Sequence, residues 1–136
     1  MLARDYCDAA GRKKGKPIIL SHHMLYGLKA GQAKMSKSDP DSAIFMEDST
    51  ADVRRKIRGA YCPRTADAAV ARDAEMQLAA DDLKNPCLDY VRHVVFAAPG
   101  ATFAAGGATF ASADAVRDAF VGGALSEADL KDGVRE

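Results

Sequence analysis

Fourteen residues, Gly27 to Pro40, break every periodicity around them, with two glycines (Gly27, Gly31), three lysines (Lys29, Lys34, Lys37), two serines (Ser36, Ser38) and a closing Asp39-Pro40. Neither a helical nor a strand repeat passes through them, so the chain must fold as separate elements on either side of a long, mobile loop. A loop of this length inside a compact domain usually serves a function. Just ahead of it, Pro17-Ile18-Ile19-Leu20 is a short apolar run between a turn and polar residues. Such a run reads as a strand buried on both faces, as in a parallel sheet, and it implies covering helices. Ser21-His22-His23 then stands at the carboxyl end of that strand, where open α/β sheets place their ligands.

The flanking elements follow from spacing. Leu2, Tyr6, Cys7 and Ala10 share one helical face, and Gly11 offers a stop before the basic turn at residues 12–16. Ala43 to Met46 reads as a short strand or the edge of a turn. Ser49 caps a helix with Asp52 at its third position, with Val53, Ile57 and Ala60 inward and Arg54, Arg55, Lys56 and Arg58 on the other face. An alanine-rich stretch with interspersed acids occupies residues 66–80. Asn85-Pro86 opens a helix with an apolar stripe of Leu88, Val91, Val94, Val95 and Ala98, and His93 falls on its solvated side. Residues 101–104 and 108–111 predict two short strands around a Gly106-Gly107 turn. Two helices close the chain, one capped by Ser112 with Val116 and Phe120 inward, the other capped by Ser126 with Asp129 at its third position and Leu130 and Val134 inward.

The 136 residues suffice for one domain or parts of two, and 48% hydrophobic content can supply a core. No run approaches the roughly 18 apolar residues of a membrane span. Cys7, Cys62 and Cys87 are odd in number, distant in sequence and without C-x2-C spacing, which predicts reduced thiols in a cytoplasmic compartment and no metal site. The formal net charge of zero conceals an asymmetry. Residues 1–60 carry 12 Lys and Arg against 7 Asp and Glu, while residues 61–136 carry 7 against 12. A basic first half suits a polyanion such as a nucleotide or tRNA, or it is a solvated face. Arg54, Arg55, Lys56 and Arg58 carry the same two readings, a solvated face or a contact to a tRNA backbone.

Within the loop stands Lys34-Met35-Ser36-Lys37-Ser38. Two ammonium groups and two hydroxyls at the carboxyl edge of a parallel sheet can clamp phosphates whose charge builds in a transition state. By contrast, Lys13-Lys14-Gly15-Lys16 is no phosphate loop, because Pro17 stands where the GxxxxGK[ST] pattern needs Ser or Thr.

Lys34 to Ser38 spells the KMSKS signature of class I aminoacyl-tRNA synthetases. Its flanks, Leu20 to Leu25, Gly31-Gln32, Asp39-Pro40 and Ser42 to Asp48, resemble the tyrosyl-tRNA synthetases of eukaryotes and archaea, as do Ala60-Tyr61-Cys62-Pro63 and Asn85 to Tyr90. Tryptophanyl-tRNA synthetase, of similar architecture, is the weaker match, because the tail from Asp39 to Asp48 is of the tyrosyl type.

The resemblance implies an α/β fold in which residues 1–50 end a Rossmann-like catalytic domain and residues 51–136 begin a mostly helical anticodon-binding region. It implies that tyrosine attacks the α-phosphate of ATP, with Mg2+ accompanying the nucleotide, and then passes to tRNA(Tyr). Lys34 and Lys37 become the catalytic pair, gripping the β- and γ-phosphates most tightly in the transition state. Ser36 and Ser38 support the turn and reach phosphate oxygens, and Met35 anchors the loop by packing. His22, Met24 and Leu25 border the adenine. His22 and His23 match the strand end beside that pocket and are structural histidines, neither of them a general base. Asp129 matches the residue that helps read the anticodon, or it simply stabilises a helix N-terminus. Ala105 and Ser126 stand where the family often has an aromatic residue and a histidine.

The family's HIGH signature and tyrosine pocket lie upstream of the residues matched here, so the resemblance is to a C-terminal part of such an enzyme, a homodimer when complete. The isolated chain is expected not to catalyse tyrosine-dependent ATP–pyrophosphate exchange. The other reading of the same sequence is a non-catalytic paralogue that binds tRNA or regulates a partner.

Overall fold

The computed structural model describes residues 2–12, 16–65 and 84–135. The alanine-rich stretch predicted at 66–80 lies outside these residues. In chain order the elements are α1 (Leu2–Ala9), α2 (Thr50–Gly59), α3 (Pro86–His93), β1 (Phe103–Ala105), β2 (Ala108–Phe110), α4 (Ala113–Val121) and α5 (Glu127–Val134), with single 3-10 turns at Pro40–Ser42 and Val95–Ala97.

Helix α1 forms where expected and stops at Gly11, whose φ of 67° lets Arg12 N–H reach back to Cys7 O at 2.8 Å and Gly11 N–H to Asp8 O at 3.1 Å. None of its residues is buried, and on its apolar face Leu2 and Tyr6 are exposed and Cys7 is half-buried. The strand expected at Pro17–Leu20 is not formed. The segment lies outside any sheet, with Ile18 87% and Leu20 91% exposed. A parallel strand exists only through its ladder, and among the described residues no other strand lies beside this one. Ala43–Met46 likewise forms no strand and leads into a turn closed by Asp48 N–H on Phe45 O.

Helix α2 starts from the expected capping box, Asp52 N–H donating to Ser49 Oγ at 3.2 Å and Ser49 N–H to Asp52 Oδ2 at 3.3 Å. Ile57 and Ala60 are buried as the spacing requires. Lys56, placed by its spacing on the charged face, is buried instead. Helix α3 begins at the Asn85 cap, which accepts from Cys87 and Leu88 N–H, with Pro86 in the first turn. Of the expected stripe, Val91 is buried and Leu88 and Val95 pack partly on the core, with Cys87 and Tyr90 buried beside them. Val94 and Ala98 are exposed, because the helix ends at His93 and the chain continues through the 3-10 turn, off the helical spacing, before Ala98 is held extended ahead of Pro99.

The hairpin forms with the register Phe103–Phe110, Ala104–Thr109 and Ala105–Ala108. Gly106 and Gly107 both have positive φ, the requirement of a two-residue type I′ turn, so the first strand runs one residue further than its composition suggested, to Ala105, and begins two residues later, at Phe103. Helices α4 and α5 start at Ser112 and Ser126 as expected, burying Val116, Phe120 and Leu130, with Val134 packed at the edge. Helix α5 lies so close on the hairpin that a Cβ at Gly133 would fall 2.7 Å from Ala104 O. Among the described residues one core joins Leu28, Ile57, Val91, Phe103, Val116, Phe120, Leu125 and Leu130.

Truncating Phe120 to Ala, at the centre of this core, is expected to cost about 3–5 kcal/mol in urea unfolding. Val121→Ala, on the exposed side of the same helix, should stay within about 0.5 kcal/mol. Gly133→Ala should destabilise by roughly 1–3 kcal/mol, because the atom at 2.7 Å is backbone and cannot swing away.

Candidate functional site

The loop is built from its base upward. Leu28 is buried, and its N–H donates to Ser42 O at 2.9 Å while its C=O accepts from Tyr61 N–H at 2.7 Å. Gly27 N–H donates to Gln32 O at 3.1 Å, and a Cβ on Gly27 would lie 2.6 Å from Gln32 Oε1, so this turn closes only over glycine. Lys29 Nζ reaches both oxygens of Asp39, at 2.8 and 2.6 Å, and spans the loop like a strap. This ammonium holds the Asp39 carboxyl below its ordinary range. Asp39 O in turn accepts from Ser42 Oγ at 2.7 Å and from Ser42 N–H at 3.0 Å.

Between these ties the chain presents Lys34 and Lys37 to solvent, with no ion pair to either among the described residues. Ser36 and Ser38 hydroxyls meet at 2.8 Å. Met35 is half-buried and packs on the core, which fits an anchoring side chain between two exposed lysines. Of the residues expected beside the adenine, His22 and Met24 are exposed and Leu25 packs partly on the core. The loop can therefore offer two positive charges to one external anion while its base stays fixed.

Behind the loop lies a buried cation that spacing alone did not find. Lys56 Nζ, on a side chain 4% exposed, donates to Ala43 O at 2.9 Å and Asp48 Oδ2 at 2.6 Å, and sits 4.8 Å from the centre of the Phe45 ring. Asp48 Oδ2 also accepts from Phe45 N–H at 2.9 Å. The Lys56 hydrogen bond, then the Phe45 N–H, hold the Asp48 carboxyl below its ordinary value. A lysine in a basic run on a helix gives no sign of burial, but Lys56 lies one residue before the inward Ile57, and an acid stands eight residues earlier at Asp48.

His23 is hydrogen-bonded, as expected of a structural histidine: its Nε2 lies 2.7 Å from Asp89 Oδ1. His93, read as solvated, instead stacks on His23 with ring centres 3.8 Å apart. Desolvation, then the His23 ring beside it, depress the His93 pKa. Cys62 and Cys87, distant in sequence, also meet. Asn85 Nδ2 donates to Cys62 Sγ at 3.3 Å. Both are free thiols, and the hydrogen bond between them lowers the Cys62 pKa and raises that of the buried Cys87.

Asp129 occupies the third position of α5, where its N–H donates to Ser126 Oγ at 3.1 Å and its Oδ2 accepts from the same hydroxyl at 2.5 Å. The same residue lines an open cavity of about 360 Å³ between the hairpin turn and α5, with Ala105, Gly106, Gly107, Asp132 and Gly133. The capping role and the exposure to a cleft coexist in one side chain.

The sequence profile of the family described as "tRNA synthetases class I (W and Y)" matches residues 1–94. The chain belongs to that family. Its relatives fall on the tyrosyl side. It is 52% identical over 96 residues to cytoplasmic tyrosine–tRNA ligase 2 of Arabidopsis thaliana, 70% of this chain and 11% of that protein. It is 34% identical to the tyrosine–tRNA ligase of Aeropyrum pernix across 100% of this chain and 39% of that protein. In structure it superposes on the Leishmania major tyrosyl-tRNA synthetase solved with tyrosinol, at a TM-score of 0.78 and 57% identity, over 99% of this chain and 20% of the other. The chain thus spans well under half the length of these relatives. The likeness carries the α/β class I synthetase fold, with the helical region at its C-terminal end. No helix among the described residues is long and apolar enough to cross a membrane.

Because the Asp48 pKa is lowered on folding, its pairing contributes stability above the unfolded carboxyl value of about 3.8, and that contribution is lost as pH falls through the lower folded value. Stability measured by denaturant titration from pH 5 to pH 2.5 should therefore drop in that window. Lys56→Met should remove most of the Asp48 part of the drop, while Arg54→Met, on the exposed face, should leave it in place.

Proposed function

We propose that this chain carries the phosphate-clamping loop and part of the anticodon-binding region of a tyrosine-activating enzyme. The tyrosine carboxylate attacks the α-phosphate of ATP, which enters as its magnesium salt, pyrophosphate leaves, and the adenylate passes tyrosine to tRNA(Tyr). Lys34 and Lys37 are the catalytic residues of this part. Their exposed ammonium groups, on a loop fixed at both ends, are the observation that carries the reading. Charge accumulates on the departing pyrophosphate, so donors already in place act on the rate more than on ATP affinity. Ser36 and Ser38 give hydroxyls to the same oxygens, Met35 keeps the tip from collapsing, and His22, Met24 and Leu25 border the adenine.

Functionally the chain divides near residue 50, with nucleotide chemistry before it and tRNA contact after it. Asp129 faces the cavity beside Gly106-Gly107, where an unpaired base can enter and meet a carboxylate acceptor. Ala105 leaves that base without an aromatic partner, so recognition rests on hydrogen bonding more than on stacking. A homodimer goes with this reading, and so does a cytoplasmic setting, the one in the name of the Arabidopsis relative.

The test is a chimera in which residues 1–136 replace the matching fifth of the Leishmania relative. Tyrosine-dependent ATP–pyrophosphate exchange by the chimera should fall about 10²- to 10³-fold on Lys37→Ala, with KM for ATP little changed. A rate within a few-fold of the parent chimera would overturn the clamp, and the tRNA-binding or regulatory role would replace it.

Asp129→Ala should weaken tRNA(Tyr) binding to the same chimera by roughly 10- to 100-fold, the loss of one hydrogen bond to a charged acceptor. Ser126→Ala, which removes the helix cap without touching the cavity floor, should cost about 1 kcal/mol of stability and leave tRNA affinity nearly unchanged. Equal loss of affinity in both variants would reduce Asp129 to a capping residue.

A further inference from the structure

Three donor atoms converge away from the loop and the cavity. Asp89 and His93 stand four residues apart on α3, so one helix face presents both. His23 reaches them from the segment that leads into the loop. Their ligand atoms all lie within 4.8 Å of one another. The Asp89 side chain is 6% exposed, and its Oδ2 is occupied by Tyr26 N–H at 3.0 Å, which turns Oδ1 toward the two imidazoles. His23 Nε2 is 2.7 Å from that oxygen and His93 Nε2 is 3.7 Å from it.

From this geometry we propose that His23, Asp89 and His93 bind one divalent ion of the zinc class. A hydrogen bond accounts for His23 but not for His93, whose 3.7 Å separation is too long for one. Ligands on a tetrahedral ion, at bonds of about 2.0–2.2 Å, sit roughly 3.3–3.5 Å apart, and both Asp89 separations lie within ~0.8 Å of that range. The Tyr26 N–H supplies the outer contact that orients a ligating carboxylate. The Tyr26 ring packs against that imidazole in a T-shaped arrangement, with ring centres 6.1 Å apart.

The two imidazoles stack at an interplanar angle of 17°, so one must turn about its Cβ–Cγ bond for both lone pairs to aim at a common ion. His93 can do so: it is the last residue of its helix, and its side chain is 31% exposed. With His23 at 28%, the fourth coordination position opens to water. Two imidazoles and one carboxylate favour zinc, cobalt, nickel or copper over magnesium or calcium. The ion would bind the segment entering the loop to the last turn of α3, a tie across 66 residues of chain.

The experiment is a Co2+ titration of the chelator-treated 136-residue chain, followed by visible absorption, with calorimetry for Zn2+. One equivalent should bind with nitrogen–oxygen coordination and no sulfur charge-transfer band, and Zn2+ should raise Tm. His93→Ala and His23→Ala, both partly exposed, should each weaken affinity at least about 10-fold while circular dichroism stays unchanged. Cys62→Ser should bind as the parent does. Absence of binding, binding indifferent to both histidines, or a thiolate band lost in Cys62→Ser would overturn the site. Running the same titration on the chimera separates this result from the clamp, since Lys37→Ala there should slow exchange about 10²- to 10³-fold without altering metal affinity.

Discussion

Everything the loop does rests on Leu28. Its side chain is part of the core, while its two backbone groups tie it to Ser42 on one side and Tyr61 on the other. A buried backbone amide and carbonyl must find partners, and here the partners are the far end of the loop and the end of α2. The loop's tip can thus be fully hydrated while its ends are as fixed as the hydrophobic core. Lys56 repeats the arrangement one layer deeper, taking the carbonyl of Ala43 and the carboxylate of Asp48 into a site that water barely reaches. Removing one member of such a pair leaves the other charge buried alone, so the two residues are not independently variable.

Parts of this were legible from residue order alone. The capping signals at Ser49, Asn85, Ser112 and Ser126 each located a helix start, because a side-chain acceptor followed by helix-forming residues satisfies the first free N–H groups in any context. The Gly106-Gly107 turn was legible for a similar reason, since positive φ is a local demand. The lysines of the loop are exposed, as a charged segment without helical or strand periodicity leads one to expect. Pro17–Leu20 was not legible as it stands here. An apolar run encodes willingness to be buried, while the partner that buries it is encoded elsewhere. The α3 stripe was legible in part: Val91, Leu88 and Val95 face the core, while Val94 and Ala98 do not, because the helix gives way to a 3-10 turn after His93.

What escaped at the candidate sites has one cause. His23 with Asp89 joins the segment before the loop to α3, Cys62 with Cys87 joins the residues after α2 to α3, and Lys56 with Asp48 joins α2 to the turn before it; periodicity within one element says nothing about what faces it across a contact. The four-residue spacing of Asp89 and His93 could have been noticed beforehand, as could the place of Lys56 beside the inward Ile57 with an acid eight residues earlier. A histidine assigned to solvent from its helical angle was drawn onto another ring because the segment before the loop crosses that face.

The hairpin places Phe103 opposite Phe110 across a turn of two residues whose shape admits a single register. Side chains on a strand alternate in direction, so adding one residue to either strand would turn a phenylalanine from the core to water and move the turn away from Asp129. The hairpin can accordingly lengthen or shorten only by pairs, one residue on each side, twice over, to restore the original facing. Loops drift in length by single steps. This element is quantised, and the distance from its tip to α5 is a dimension that descendants of this sequence can keep or lose but cannot tune by degrees.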